Sequence, residues 1–237
     1  LLMNPRAPLA RDTLPVLAHQ APVELEIETD DAGVVIRLPR APLSFHHSFT
    51  SGALARRARQ SQQALLRACN NKARSIRSVL DLTAGWGADS LTLACHGQQV
   101  TLLEQNRLIC VILDYSLQCL AREPASSEVA GRMRLEQAEG GAYLRQLTDD
   151  RAFDCIYLDP MFPNHKSSAK PAKEMQILQA LTTNLDIESC FELALQKARR
   201  RVVVKRPAKA PGLTAVKPDA VYREKTIRFD VYLTGQS

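Results

Sequence analysis

Alternating apolar and polar residues near the N-terminus predict a small β element. Between Val23 and Leu38, the sequence VELEIETDDAGVVIRL places apolar side chains at nearly every second position on both sides of Asp30 to Gly33. This alternation indicates half-buried strands, and a glycine among turn-forming residues indicates a hairpin between them. We therefore expect a β-hairpin within a small N-terminal element covering residues 1–47.

The rest of the chain alternates short apolar runs with segments of helical spacing. After a helix predicted from about Ser51, the runs are SVLDL, QVTLLE, RMRLEQ, DCIYLD and RRVVVK, and AVYREKTIRFDVYL contains two more predicted strands. Apolar runs separated by helices are typical of βαβ units, in which helices cover both faces of a parallel sheet. We expect an α/β fold with a mostly parallel, seven-stranded sheet over residues 48–237.

The residues after the first two predicted strands of this sheet indicate a cofactor that contains a nucleoside. Ligands of open α/β sheets bind at the carboxyl ends of the strands. Gly85 and Gly87 follow the first strand, where they allow a tight turn, and the helix beyond offers free N–H groups to a carboxylate or another anion. Glu104 ends the second strand, 19 residues after Gly85, where an acid can accept hydrogen bonds from ribose hydroxyls.

The glycine turn alone leaves other interpretations open. A tight strand-to-helix turn in which Asp89 caps the helix would also explain it, and the two loops together also fit a dinucleotide. Two details favour S-adenosylmethionine: Ser90 replaces the third glycine of the dinucleotide fingerprint, and Asp81 precedes the glycines. An acid before G-x-G is typical of methyltransferases that use this cofactor.

The segment CIYLDPMFP carries the predicted reaction chemistry. Its D-P-M-F sequence resembles the (D/N)-P-P-(Y/F) motif of methyltransferases that act on exocyclic or side-chain amide nitrogens. The lone pair of such a nitrogen is conjugated, so the site must align the nitrogen with the methyl donor and accept its N–H bonds. Asp159 and a carbonyl of Pro160 or Met161 can accept them, Pro160 restricts the backbone of Asp159, and Phe162 offers a ring for an unstacked base. A proline-stiffened loop with a buried Phe162 is the structural alternative.

The charge balance favours a polyanionic partner. Lysine and arginine number 31 against 25 acidic residues, which gives a formal net charge of +6. A basic surface of this kind is typical of nucleic-acid-binding proteins, although a generally basic protein would show the same balance. The basic residues expected at the carboxyl edge of the sheet, which we predict to bind RNA phosphates, are Lys166, Lys170, Lys173, Lys205 and Arg206.

The six cysteines and the hydropathy of the chain bear on metal binding, membrane insertion and cellular location. The cysteines form no C-x-x-C pair and have no histidine at metal-ligand spacing, so we expect core thiols in a reducing compartment and no bound metal. No apolar stretch approaches the length of a membrane span, and the first residues lack the features of a signal peptide. A cytoplasmic location is expected.

Six motifs in a fixed order resemble one known family. DLTAGWGADSLTLA, LLEQN, YLDPMFPNHKSSA, KEMQILQAL, VVVKRP and RFDVYL are similar to segments of the ribosomal RNA small subunit methyltransferase J family, over roughly Ser48 to Leu233. The resemblance implies a Rossmann-like class I methyltransferase fold. It also implies transfer of a methyl group from S-adenosylmethionine to the N2 amine of one guanine in 16S rRNA, with S-adenosylhomocysteine as product. The expected partner is 16S rRNA or the small ribosomal subunit.

The resemblance further implies which residues contact the cofactor. With Asp81 and the two glycines, these are Ala88, Asp89, Glu104, Gln105, Glu139, Gly140 and Asp159. Two departures from the family pattern bear on the adenine side: Gln105 stands where arginine is common, and QAEGG replaces a pair of small hydroxyl residues. An N-methyltransferase of DNA adenine or protein glutamine shares the motif, and a non-catalytic RNA-binding module of the same fold is a further alternative. A nicotinamide enzyme would need an acid–base pair that the sequence does not show.

Overall fold

The computed structural model describes residues 13–40, 43–60, 63–70, 76–148, 152–160, 173–182 and 186–235. The strands in this part of the chain are β1 (Glu26–Thr29), β2 (Val34–Leu38), β3 (Leu43–His47), β4 (Ser78–Asp81), β5 (Gln99–Glu104), β6 (Met133–Gln137), β7 (Cys155–Leu158), β8 (Arg201–Pro207), β9 (Ala220–Arg223) and β10 (Ile227–Leu233). The helices are α1 (Leu14–His19), α2 (Gly52–Arg59), α3 (Gln63–Cys69), α4 (Ala88–Cys95), α5 (Arg107–Arg122), α6 (Ser127–Gly131), α7 (Gly140–Gln146), α8 (Lys173–Leu181) and α9 (Ile187–Lys197).

A seven-stranded sheet forms the centre of the molecule, with the strand order β6-β5-β4-β7-β8-β10-β9. The strands from β6 to β8 are parallel to their neighbours, whereas β10 runs antiparallel to both β8 and β9. The strand pattern read from the sequence is therefore confirmed, including the two C-terminal strands. β7 is buried at all of its positions, because helices cover both faces of the sheet.

Two hydrophobic cores lie on the opposite faces of this sheet. Along β7, Cys155 and Tyr157 belong to one core, while Ile156 and Leu158 belong to the other. Successive side chains of a strand point to opposite faces, so a continuous apolar run supplies both cores at once. This double burial explains why the predicted strands read as apolar runs instead of alternating patterns.

The order of the strands creates a crevice at the carboxyl ends of β4 and β7. From β4 the chain moves outward through β5 to β6, and it then returns to the other side of β4 to form β7. Such a switch point is where ligands bind in open α/β sheets. Gly85 and Asp159 lie in the loops after β4 and β7, and Glu104 ends β5, so the topology brings all three to the crevice.

Asn106 joins this edge to the surrounding helices. Its side-chain oxygen accepts hydrogen bonds from the backbone nitrogens of Leu108 (2.9 Å) and Ile109 (3.2 Å), which caps the N-terminus of α5. Its side-chain amide donates to the carbonyl of Leu181 at 2.7 Å, at the end of α8. The same residue thus fixes the loop after β5 and the position of α8.

The N-terminal region contains the expected hairpin and one strand more. β1 and β2 pair in antiparallel register, and the carboxylate of Asp30 accepts hydrogen bonds from the backbone nitrogens of Ala32 and Gly33 in the turn. The additional strand, β3, pairs with β2. A Cβ atom at Gly33 would lie 2.1 Å from the carbonyl oxygen of His47, so the approach of β3 requires glycine there.

His47, at the end of β3, attaches this small sheet to the large one. Its imidazole is buried, with Nδ1 2.7 Å from the hydroxyl of Ser116 and Nε2 2.9 Å from the carbonyl oxygen of Trp86. Since a carbonyl only accepts, Nε2 carries a proton, and because burial disfavours the charged ring, Nδ1 is unprotonated and accepts from the hydroxyl. Burial lowers the pKa of His47 to about 4, although the hydrogen bond to Trp86 acts in the opposite direction.

We expect His47 to make the protein less stable in mild acid. The imidazole of the unfolded chain binds a proton below pH 6.5, whereas the folded protein accepts it only near pH 4. This difference should lower the free energy of unfolding by about 3 kcal/mol as the pH falls through that window. Urea denaturation between pH 7 and pH 4 measures the change.

The His47→Gln variant isolates this contribution from those of other groups. It should be less stable than the parent at pH 7, and its stability should depend less steeply on pH. His19→Gln, at an exposed histidine of α1, is the matched control for the loss of one histidine. Parallel curves for the parent and His47→Gln would contradict the assignment.

Candidate active site

The glycine turn after β4 adopts a backbone conformation that other residues avoid. Gly85 and Gly87 have φ angles of +52° and +68°. A Cβ atom at Gly87 would lie 2.8 Å from Cζ of Phe49, which adds a steric requirement to the conformational one. Gly87 occupies the N-cap position of α4 and Asp89 lies within its first turn. The alternative that Asp89 caps the helix is therefore wrong.

Glu104 connects this turn to the next strand. One carboxylate oxygen accepts a hydrogen bond from the backbone nitrogen of Gly85 at 3.1 Å, and the other accepts from that of Asn106 at 2.8 Å. Burial raises the pKa of Glu104, while these backbone hydrogen bonds, and one from Gln105, lower it. Each oxygen has a second lone pair, so the carboxylate can also accept hydrogen bonds from ribose hydroxyls.

Glu139 ends the loop after β6, and Gly140 begins α7. The carboxylate of Glu139 caps α7 by accepting hydrogen bonds from the backbone nitrogens of Gly141 (2.7 Å) and Ala142 (2.6 Å). A Cβ atom at Gly140 would lie 3.2 Å from the carbonyl oxygen of Leu82, in the loop after β4. Glycine thus permits the two loops to approach each other, and Glu139 fixes the shape of its own loop.

Asp81 lies at the bottom of the crevice. One of its oxygens accepts a hydrogen bond from the backbone nitrogen of Thr83 (3.0 Å), and the other accepts from the hydroxyl of Ser90 (2.6 Å). Burial raises the pKa of Asp81 to about 7, against the effect of these hydrogen bonds. Ser90 therefore has a structural reason to replace the third glycine of a dinucleotide fingerprint, which the sequence alone did not reveal.

Asp159 follows β7 and shares an ammonium group with Asp89. Nζ of Lys205, at the end of β8, lies 2.8 Å from Oδ2 of Asp159 and 2.8 Å from Oδ2 of Asp89. The hydroxyl of Tyr157 also donates to Oδ2 of Asp89, at 2.5 Å. The backbone nitrogen of Asp159 donates to the hydroxyl of Thr83 at 2.7 Å, which links the end of β7 to the loop after β4.

The electrostatics of this ion pair follow from its burial. Burial alone would lower the pKa of Lys205, but the carboxylates of Asp159 and Asp89 raise it, so the ammonium stays charged. Burial and the charge of Asp89 raise the pKa of Asp159, whereas Lys205 lowers it. Although burial acts to raise the pKa of Asp89, Lys205 and Tyr157 bring it below its ordinary value.

The structure differs from the sequence interpretation at two of the predicted RNA-binding residues. Lys205 is held by two carboxylates, so its ammonium is not presented to a phosphate. Arg206 is buried, and its guanidinium donates to the carbonyl oxygens of Pro211 and Gly212. These contacts stabilise the loop after β8 and occupy donors of the guanidinium, so phosphate binding by Arg206 stays a prediction that the geometry does not favour. Lys173 is exposed at the start of α8.

Three of the predicted site residues, Phe162, Lys166 and Lys170, lie outside the described residues. Within the described part of the chain, no group of three histidine, cysteine, aspartate or glutamate side chains could hold a metal ion. In the same residues, no helix is long and apolar enough to cross a membrane.

The residues at the crevice fit a cofactor that contains a nucleoside. The positive φ angles of Gly85 and Gly87 allow the backbone to approach a ligand closely, next to the free N–H groups at the start of α4. Glu104 presents buried acceptors at the next strand end. Asp159 lies on the other side of β4, where the reactive part of such a ligand would reach.

Comparison with known proteins agrees with this interpretation. Residues 11–234 match a family described as putative SAM-dependent methyltransferase. Ribosomal RNA small subunit methyltransferase J of Thioalkalivibrio sulfidiphilus is 39% identical over 228 residues, which cover 94% of this chain and 89% of that protein. The protein of the same name from Nitrosococcus oceani is 37% identical over 98% of this chain and 89% of its own length.

A solved structure supports the fold independently of these sequences. The SAM-dependent methyltransferase of Neisseria gonorrhoeae superimposes with a TM-score of 0.68 and 27% identity, over 96% of this chain and 94% of that one. Because the family model and the relatives match over most of the chain, this protein belongs to the ribosomal RNA small subunit methyltransferase J family and is a methyltransferase that uses S-adenosylmethionine.

Proposed function

We propose that this protein transfers a methyl group from S-adenosylmethionine to the exocyclic N2 amine of a guanine in 16S ribosomal RNA. The observation that carries the proposal is the carboxylate of Asp159, which lies beside the glycine turn at the carboxyl end of β7. The relatives are named for methylation of small-subunit ribosomal RNA, and the D-P-M-F sequence resembles motifs that present an amine to the methyl donor. The substrate is the RNA alone or in the small ribosomal subunit, which implies action in the cytoplasm.

The cofactor is proposed to bind along the carboxyl ends of β4, β5 and β6. Backbone N–H groups at Ala88 and Asp89 would bind its carboxylate at the start of α4, as expected for a helix N-terminus. Asp81 holds the strand end that presents these groups. Glu104 would accept hydrogen bonds from the ribose hydroxyls. The adenine side is assigned to Gln105 and to the loop that begins at Glu139 and Gly140.

Asp159 is proposed to act on the target amine. Its carboxylate accepts an N–H bond of the amine, which holds the nitrogen in line with the methyl group that the cofactor supplies. A carbonyl at Pro160 accepts the second N–H bond, and Phe162 stacks with the base. As the nitrogen becomes positively charged, the carboxylate stabilises the charge and then accepts the proton, or water does.

The outer surface of α2 is proposed to bind RNA phosphates together with Lys173. Arg56 and Arg57 are exposed on this helix, which contains no acidic residue, while Leu54 and Ala58 are buried. Arg57 reaches Glu174 of α8 at 3.6 Å, which puts these arginines next to the helix that follows the D-P-M-F segment. Arginine contacts with phosphates would supply affinity without sequence information.

We expect labelled methyl groups to appear in N2-methylguanosine. The protein is incubated with tritiated S-adenosylmethionine and small ribosomal subunits from cells that lack this enzyme, and the digested nucleosides are then separated. Asp159→Ala should reduce transfer about 1000-fold or more, because it removes the acceptor of the amine N–H. Asp31→Ala, in the exposed hairpin turn, is the control and should transfer normally.

DNA and a glutamine-containing peptide serve as competing substrates in this experiment. Label in either of them in place of the RNA would contradict the proposed substrate. Near-parental transfer by Asp159→Ala would remove Asp159 from the mechanism. Cofactor binding by the parent without transfer to any substrate would support the non-catalytic alternative.

We expect Glu104→Ala to weaken cofactor binding by about 10- to 100-fold, since it removes charge-assisted hydrogen bonds and releases the nitrogen of Gly85. Isothermal titration calorimetry with S-adenosylmethionine measures the dissociation constant. Glu136→Ala, on the neighbouring strand β6, removes a carboxylate that pairs with Arg134 and should leave binding unchanged. Equal affinity of a folded Glu104→Ala protein would exclude the ribose contact.

We expect the double variant Arg56→Gln/Arg57→Gln to bind ribosomal RNA more weakly. The slope of log K against log salt concentration should decrease by about 1 to 2, since two phosphate contacts are lost. The control is Arg37→Gln/Arg40→Gln, which removes the same two positive charges from the region of the N-terminal sheet instead of from α2. Identical salt dependence of the two double variants would argue against α2 as an RNA-binding surface.

A further inference from the structure

Strand register brings Lys205 next to Asp159. In the parallel pair of β7 and β8, Leu158 lies opposite Val204, so the next residue of each chain segment is Asp159 and Lys205. Side chains at matching positions of adjacent strands point to the same face of the sheet. A lysine at this position therefore meets the carboxylate that follows β7, and the sheet sets their separation.

Lys205 joins two carboxylates that come from different parts of the chain. Its Nζ atom lies 2.8 Å from Oδ2 of Asp159 and 2.8 Å from Oδ2 of Asp89 on α4. The side chain of Lys205 is 21% exposed and that of Asp159 is 33% exposed, so the contact lies at the edge of the crevice, largely shielded from water. Among the described residues, Oδ1 of Asp159 receives no hydrogen bond, which leaves it available to a ligand.

Two carboxylates that contact one nitrogen lie close to each other. Without the ammonium they would repel, and one of them would bind a proton to relieve the repulsion. A protonated Asp159 would donate a hydrogen bond with its hydroxyl, and it would be a poorer acceptor and proton carrier. The charge of Lys205 therefore determines whether Asp159 is ionised or protonated when the target amine binds.

We propose that Lys205 is a positioning residue for methyl transfer, which holds Oδ2 of Asp159 through an ion pair shared with Asp89 and so presents the ionised Oδ1 to the target amine. This inference rests on the proposed role of Asp159 in the reaction. It replaces the expectation that Lys205 binds an RNA phosphate. It also gives Asp89 a second role, since Asp89 anchors the ammonium from the α4 side.

Other charged and titratable groups surround the ion pair within the described residues. Asp81 on β4 and Tyr157 on β7 lie near it, and Arg57 on α2 acts on Asp89 from the surface. Asp81 and Tyr157 remain in place when Lys205 is changed. Because the charges of Asp89 and Asp159 also act on Asp81, the titration of Asp159 itself is needed to attribute a pH effect to the ion pair.

The first test is the pH dependence of methyl transfer by Lys205→Met. We expect kcat at low pH to fall about tenfold or more, and to recover as the pH rises and Asp159 ionises, while the KM for ribosomal RNA stays unchanged. Lys205→Arg, which keeps the charge, should retain most of the activity and the parental profile. Lys225→Met, in the exposed turn between β9 and β10, controls for the loss of one positive charge.

The second test does not depend on activity. Carbon-13 NMR of labelled aspartate carboxylates, with Asp159 assigned through Asp159→Asn, gives the titration of Asp159 in the protein without substrate. We expect its midpoint to rise by about one pH unit or more in Lys205→Met. Lys205→Gln keeps a hydrogen-bond donor but lacks the charge, and it should show the same rise. It replaces Lys205→Met in this titration if the methionine variant does not fold.

The two tests separate failure of this inference from failure of the proposed function. An unchanged titration of Asp159 overturns the inference, and so does an unchanged kcat profile accompanied by a higher KM for RNA, which is the result expected of a phosphate-binding lysine. If the parent protein transfers no methyl group to RNA, the proposed function fails. In that case the NMR titration still decides whether Lys205 controls Asp159.

Discussion

The active site depends on one constraint: four acidic residues converge at the carboxyl edge of a sheet whose interior is apolar. Asp81, Asp89, Glu104 and Asp159 can remain there because each has specific hydrogen-bond donors or a cation. Backbone nitrogens serve Glu104 and Asp81, whereas the ammonium of Lys205 serves the other two. Unpaired buried charges are costly, so the conformations of the loops and the ionisation of the acids are mutually dependent.

The glycine turn of the active site also depends on contacts with residues of the N-terminal sheet and with the residues that follow it. His47 donates to the carbonyl of Trp86, which lies between the two turn glycines, and Phe49 leaves no space for a side chain at Gly87. The indole nitrogen of Trp86 donates to the carbonyl of Glu174 in α8 at 2.8 Å. The turn that approaches the cofactor is therefore held from two sides by elements remote from it in sequence. The small sheet therefore stabilises the glycine turn of the active site.

Most of the fold could be predicted from the sequence, because apolar runs between helices specify buried parallel strands almost without regard to context. β3 is not predicted, since its alternation includes only two apolar residues, Leu43 and Phe45, and its pairing depends on the glycine at position 33. Gly85, Gly87 and Glu104 were recognisable because their roles follow from local backbone geometry and spacing. The structural roles of Ser90 and Thr83 were not, since each acts through a hydrogen bond to a distant strand end.

The sequence alone does not distinguish the role of Lys205 from that of Arg206. In VVVKRPAKAP, Lys205 and Arg206 are both basic residues that follow an apolar run, and this pattern predicts phosphate binding for both. Their side chains point to opposite faces of β8, so Lys205 meets two carboxylates, whereas the guanidinium of Arg206 donates to the carbonyl oxygens of Pro211 and Gly212. A lysine stays charged beside acids and needs no fixed plane of donors, whereas the planar guanidinium of arginine suits several carbonyls at once. Lys205 and Arg206 are adjacent in sequence, but they have different roles because successive side chains of a strand point to opposite faces of the sheet.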